Sequence, residues 1–149
     1  MLANYARILV AHDGSSMSDL AFKEAVEIAK RNAAKLFLIR VIDTRIDPFA
    51  PYVIEGAFEE QIEAAEKDLE KLVAEAATHG FENIEASVKQ GQPRDVITNV
   101  VPVNEEIDLI VIGATGKNRL EKLWLGSTTN YVVNHAACNV LVIRENHHA

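Results

Sequence analysis

The sequence predicts an α/β fold, an open parallel sheet of five strands with helices on both faces, and two observations predict it. Short apolar runs of strand length alternate with segments whose apolar residues recur at helical spacing, so strands and helices take turns along the chain. Parallel neighbours need a crossover between them, which the intervening helices supply. Turn clusters of glycine, hydroxyl and carboxylate residues bound the runs, beginning with Asp13-Gly14-Ser15-Ser16.

Ile8-Leu9-Val10-Ala11 is the first strand, a short apolar run suited to the centre of a sheet, and His12 to Ser16 close it and can cap the helix that follows. From Ser18 onward Ala21, Ala25, Ile28 and Ala29 return at helical spacing among Lys23, Glu24, Glu27 and Lys30. Leu36 to Val41 is the second strand. Residues 43–56 hold Pro48, Pro51 and Gly56 without a sustained period and form the longest candidate loop. Phe58, Ile62, Ala65, Leu69, Leu72 and Ala76 then advance in alternate steps of four and three, one face of a helix, with Gly80 where a C-cap belongs. Ile84, Ala86 and Val88 alternate with Glu85, Ser87 and Lys89, the pattern of an edge strand with one polar side. Gln92-Pro93 opens a shorter helix with Val96, Ile97, Val100 and Val101 inside it. Pro102 lacks a backbone donor and crowds the preceding turn, so an early stop or a kink is expected there. Asp108 to Gly113 is a buried fourth strand, 114–125 a second long loop, Ser127 to His135 the last helix, and Val140 to Ile143 the fifth strand.

With 149 residues, 48% of them hydrophobic and 25% charged, the chain reads as one globular domain over 1–149. The single cysteine, Cys138, forbids an intrachain disulfide and suits a reducing compartment. Apolar stretches fall short of the ~18 residues of a membrane helix, and a cytoplasmic location is expected. The net charge of −7 argues against generic binding to nucleic acid or anionic membrane. It does not forbid a local phosphate site, because charges beyond about 8 Å are largely screened at physiological salt.

In a doubly wound sheet ligands bind outside the carboxyl ends of the strands, where strand order reverses. The richest sequence at such an end is Gly113-Ala114-Thr115-Gly116, nine residues, then Gly126-Ser127-Thr128 opening a helix. Glycines let a ligand approach the backbone, and a first helical turn presents unpaired N–H groups with a partial positive charge. Ser127, Thr128 and Thr129 add hydroxyls, and Lys117 and Arg119 can screen phosphate charge, although a solvated loop cation is the plainer reading, above all for Arg119. Several hydrogen bonds to a phosphate at about 1.5 to 3 kcal/mol each suffice for micromolar binding. Two better known phosphate motifs fail. Gly116-Lys117-Asn118 lacks the hydroxyl after lysine, and Val111 stands where a Walker A loop needs its first glycine. The first strand ends not in close-set glycines but in Asp13, a carboxylate better placed for sugar hydroxyls or a base amine than for phosphate.

Ile8 to Ser15, the run Asp108 to Gly113, the Gly-x2-Gly-x9-Gly-Ser-Thr loop and Ala136 to Ile143 together resemble a universal stress protein, over almost the whole chain. The loop at full spacing looks like the ATP-binding subclass. The resemblance implies a Rossmann-like sheet of order 3-2-1-4-5, of the adenine nucleotide alpha hydrolase-like kind. It implies ATP with its phosphates at Gly116, Gly126, Ser127 and Thr128 and Gly113 shaping the turn. Ala11 and Asp13 would stand at the ribose or adenine end, and Val41 would line the adenine pocket. Mg2+ or Mn2+ can accompany the triphosphate, with no protein ligand set for it visible. His12 stands where the family more often has a small or apolar residue, and for a lone histidine a structural role outweighs contact with phosphate or ribose.

The remaining tempting residues have plain explanations. His135 suits the negative end of the last helix, Cys138 has no basic neighbour to activate it, and Trp124 is as well explained by packing as by covering the loop. His147-His148 is too short and terminal for metal binding. No residue stands out as a catalytic base, so the leading expectation is a nucleotide-binding stress or signalling protein with at most slow ATP hydrolysis, passing its bound state to a protein partner. The alternatives are a nucleotidyltransferase or ATP-dependent synthetase, for which His12-Asp13-Gly14 supplies a fragment of a signature, and a nucleotide-free interaction module. A receiver domain is disfavoured by Lys89-Gln90-Gly91 after strand three, where an aspartate would be needed. In the implied order strand five is an apolar edge, which predicts a homodimer through it.

Overall fold

The computed structural model describes residues 4–44, 56–115 and 125–145. Five strands, β1 (Arg7–Ala11), β2 (Lys35–Asp43), β3 (Ile84–Gly91), β4 (Leu109–Gly113) and β5 (Asn139–Ile143), form one parallel sheet of order β3-β2-β1-β4-β5. The helices are α1 (Ser16–Asn32), α2 (Ala57–Thr78), α3 (Pro93–Asp95), α4 (Val101–Asn104) and α5 (Ser127–His135), with a π-helical turn over Val96–Val100 joining α3 to α4. Alternation within the strands sorts side chains into two cores. Ile8, Val10, Leu36 and Leu38 pack on one face with Phe22 and Ala25 of α1 and Leu69 of α2. Leu9, Phe37, Ile39 and Ile110 pack on the other with Val96, Ile97, Val101 and Val132. Both faces are therefore covered, as the strands' unbroken hydrophobicity requires.

The helix face predicted from Phe58 to Ala76 is the one α2 turns inward, with Ala65, Leu69 and Ala76 buried. It ends in a Schellman arrangement: Phe81 N–H donates to the Ala76 carbonyl at 3.0 Å, Gly80 N–H donates to that of Ala77 at 3.0 Å, and Gly80 takes φ 83°. The end of α1 repeats the motif with Ala34 N–H on the Ala29 carbonyl at 2.9 Å, but the left-handed position is held by Ala33 at φ 51°.

The expectation of a stop at Pro102 needs correction, because the helical path continues to Asn104. The irregularity lies upstream, where Val101 N–H reaches back five residues to the Val96 carbonyl. The wider π turn absorbs the donor that Pro102 cannot supply, so the chain stays helical through the proline. The two sheet edges differ. β3 carries Glu85 and Lys89 along its length, whereas β5 presents Val140, Leu141, Val142 and Ile143, with Leu141 exposed.

A non-glycine residue in the left-handed region costs roughly 1 to 2 kcal/mol. Ala33→Gly is therefore expected to raise unfolding free energy by about 0.5 to 1 kcal/mol in urea titrations, whereas Gly80→Ala should lower it by a similar amount.

Candidate functional site

The carboxyl ends of β1, β2 and β4 surround a cavity of about 350 Å³ at the point where strand order reverses between β1 and β4. That volume lies within the ~300 to 1,000 Å³ common for small-molecule sites. Ala11, Val41, Pro93, Ile97 and Ile112 give it apolar walls, and Asp13, Ser127 and Thr128 give it polar ones. Arg94 lies over the Tyr131 ring, 5.1 Å from its centre, and so braces α3 against α5 beside the cavity.

The start of α5 is fixed by two bonds. Gly126 N–H donates to the Ala114 carbonyl at 2.8 Å, and the Thr129 hydroxyl donates to the Gly113 carbonyl at 2.7 Å. The Thr129 hydroxyl is thus engaged in tying helix to strand, which removes it from the donors the sequence offered to a ligand. Gly126 is the N-cap and has no side chain with which to accept the first-turn N–H groups of Ser127, Thr128 and Thr129. α1 starts differently: the Ser15 hydroxyl accepts Ser18 N–H at 3.2 Å and closes that terminus internally. Of these two helix ends, α5 is the one free to receive an anion at the cavity wall. The buried Thr115 hydroxyl, in the segment leading from β4, also has no hydrogen-bond partner among the described residues. A Cβ on Gly113 would stand 3.1 Å from the Met17 backbone, so glycine there lets α1 close on the end of β4.

Asp13 faces the cavity from the β1–α1 turn, its Oδ1 accepting Ser15 N–H at 2.9 Å. Partial burial raises its pKa, but hydrogen bonding from Ser15 and Ser18 and the neighbouring His12 outweigh that, and the carboxyl sits below its ordinary value of 3.8. It is a carboxylate at neutral pH. His12 is 5% exposed, and both ring nitrogens are engaged by protein groups, Nε2 with Asp19 at 2.7 Å and Nδ1 with Arg40 at 2.8 Å. Both nitrogens are thus held by protein groups, although His12 also lines the cavity.

Seven of the residues expected from sequence, Ala11, Asp13, Val41, Gly113, Gly126, Ser127 and Thr128, line this one cavity. Gly116 and Lys117 lie outside the described residues, as do Arg119, Trp124, His147 and His148. Pro93, Ile97, Ile112 and Ser18 also line the cavity without having been singled out. The position of Pro93 just beyond a strand's carboxyl end was the one available signal. His135 Nδ1 meets the Tyr131 carbonyl at 2.9 Å, in keeping with a helix-end role. Burial, reinforced by the charge of Asp108, raises the Cys138 thiol's pKa and keeps it protonated. Among the described residues no group of three or more His, Cys, Asp or Glu could hold a metal ion, and no helix is long and apolar enough to cross a membrane.

Known proteins share the fold. The family model of the universal stress protein family matches residues 4–144. A Staphylococcus saprophyticus protein named as a universal stress protein is 37% identical over 145 residues, 96% of this chain and 86% of that one. The solved structure of universal stress protein UspA from Lactobacillus plantarum is 37% identical with a TM-score of 0.85, covering 96% of this chain and all of that one (100%). An Arabidopsis thaliana universal stress protein family member, solved with AMP bound, is 24% identical with a TM-score of 0.62, covering 95% of this chain and 92% of that one, a likeness of fold.

The depressed carboxyl of Asp13 has a consequence for folding. A group whose folded pKa lies below its unfolded value, about 3.9 for aspartate, stabilises the fold above that value and ceases to do so as pH falls through the folded one. Asp13→Asn should therefore show a smaller drop in urea midpoint between about pH 5 and about pH 2 than the wild type. An equal drop in both proteins would remove Asp13 from the acid response.

Proposed function

The chain belongs to the universal stress protein family, and from that premise we propose that it is a nucleotide-binding member that holds ATP in this cleft and acts in stress response or signalling through its bound state. The observation that carries the reading is the start of α5, where a glycine N-cap leaves first-turn N–H groups open at the wall of a cavity that an ionised carboxylate also lines. An anion belongs at the first and hydroxyl or amine donors belong at the second. In this reading Gly126, Ser127 and Thr128, with Gly116 and Lys117 of the glycine loop, take the phosphates. Gly113 keeps the backbone close, Ala11 and Asp13 stand at the ribose, and Val41 with Ile97 and Ile112 forms the apolar slot for adenine. The AMP-bound Arabidopsis relative is in keeping with an adenine nucleotide as the ligand class. Mg2+ or Mn2+ would enter as the partner of the triphosphate and lower its charge. In this reading hydrolysis is at most slow, and the output is the bound state itself.

The same reading takes 1–149 as one domain working in the cytoplasm, paired with a second copy through β5 and read by a further protein partner. β5 supports the pairing because its far side has no neighbouring strand in the sheet order and its Leu141 is exposed.

Gly126 has φ −61°, a conformation open to any residue, so Gly126→Val tests the ligand site without straining the backbone. Freshly purified wild-type protein should release an adenine nucleotide on denaturation. The variant should bind ATP at least about tenfold more weakly, the loss of roughly one charged hydrogen bond, and undiminished affinity would take α5 out of the site. For assembly, light scattering should return a dimer mass for the wild type and a monomer mass for Leu141→Lys. A monomeric wild type at micromolar concentration would overturn the pairing.

A further inference from the structure

His12, Arg40, Asp19 and Asp68 form a polar cluster on the α1 and α2 side of the sheet, behind the turn that carries Asp13. Arg40 grips His12 twice: its Nε–H donates to the His12 carbonyl at 2.6 Å, and its Nη2 stands 2.8 Å from the ring Nδ1. Gly14 N–H also points at Nδ1, at 3.3 Å. A guanidinium and an amide only donate, so Nδ1 carries the lone pair and the ring proton sits on Nε2, donated to Asp19 Oδ1 at 2.7 Å. The imidazole is therefore neutral in this arrangement. It bridges a cation of β2, an anion of α1 and the backbone of the turn.

A proton arriving at Nδ1 would face the Arg40 guanidinium and the Gly14 N–H with a third donor. Both contacts would have to break. Asp68 of α2, 3.5 Å from Arg40 Nη2 and half exposed, is already in place to receive the displaced guanidinium. Asp19 and Asp13 are the other charged groups facing the ring among the described residues. The pieces released by this exchange are the Gly14 amide and the ring end of the Arg40 grip, which hold the two residues flanking Asp13.

We propose that His12 and Arg40 are positioning residues for the Asp13 turn, and that proton uptake by His12 loosens the turn and weakens nucleotide binding in the cleft. The binding half of this inference rests on the function proposed above, whereas the latch itself does not.

Two measurements separate them. In the ligand-free protein, nitrogen-15 NMR should find His12 as the neutral Nε2–H tautomer near pH 8, and the Gly14 amide and Arg40 Nε–H signals should titrate with the same midpoint as the His12 ring. The opposite tautomer, or signals that ignore the ring's titration, would overturn the latch. ATP affinity is then compared at about pH 8 and about pH 5.5. Asn at position 12 keeps an acceptor for Arg40 and cannot titrate, so His12→Asn retains only the ligand's own protonation effect. The ratio of affinities across that span should be about fivefold larger in wild type than in His12→Asn. Equal ratios would overturn the coupling to binding. If ATP binds neither protein at any pH, the nucleotide reading fails together with the coupling, and the NMR result decides the latch alone.

Discussion

The hydrogen bond from the Thr129 hydroxyl to the Gly113 carbonyl, 2.7 Å long and buried, fixes where α5 begins relative to the end of β4. Several features depend on that join. A helix starting there points its open amides across the cavity, and the missing side chain of Gly126 keeps them open. The lack of a side chain at Gly113 lets Met17 of α1 approach the same strand end. A parallel sheet makes this convergence almost unavoidable, because strands that all run one way deliver their following helices at one end. The chemistry there is then decided by what caps each helix. Ser15 closes α1, and α5 is left without an equivalent.

Charge is used locally and not in bulk. The chain carries a net −7, yet the feature that suits an anion is built from backbone dipoles and hydroxyls, which act over a single helical turn. Asp13 lines the same cavity with its charge secured by hydrogen bonds from its own turn. The two features therefore favour opposite kinds of group, which would orient a ligand that is anionic in one part and rich in donors in another.

Much of this was legible in the chain. The stepping of Phe58 to Ala76 gave the buried face of α2, because an amphipathic helix writes its own period. The alternation of Ile84 to Lys89 gave an edge strand for the same reason. Ala11, Asp13, Val41 and Gly113 converge because each lies at or near a strand's carboxyl end, and Gly126, Ser127 and Thr128 join them because they open the helix that follows β4. What escaped was non-local or compensatory. His12 and Arg40 meet across 28 residues with no pattern to announce it. The π turn before Pro102 is a helix's accommodation of a missing donor, invisible to any rule that treats proline only as a breaker. Thr129 was read as a ligand donor because sequence shows a hydroxyl without showing that a neighbouring carbonyl has claimed it.

The unlike borders of the sheet limit how it can grow. Head-to-tail stacking would bring the apolar β5 of one molecule against β3 of the next, where Glu85 and Lys89 would lose their water. Joining like to like across a two-fold axis would cover the apolar β5 border of both molecules and leave the charged β3 borders outward. Under the pairing proposed above, this pattern favours a closed, countable particle over an open-ended fibre, so the residues that would join two copies would also set the limit.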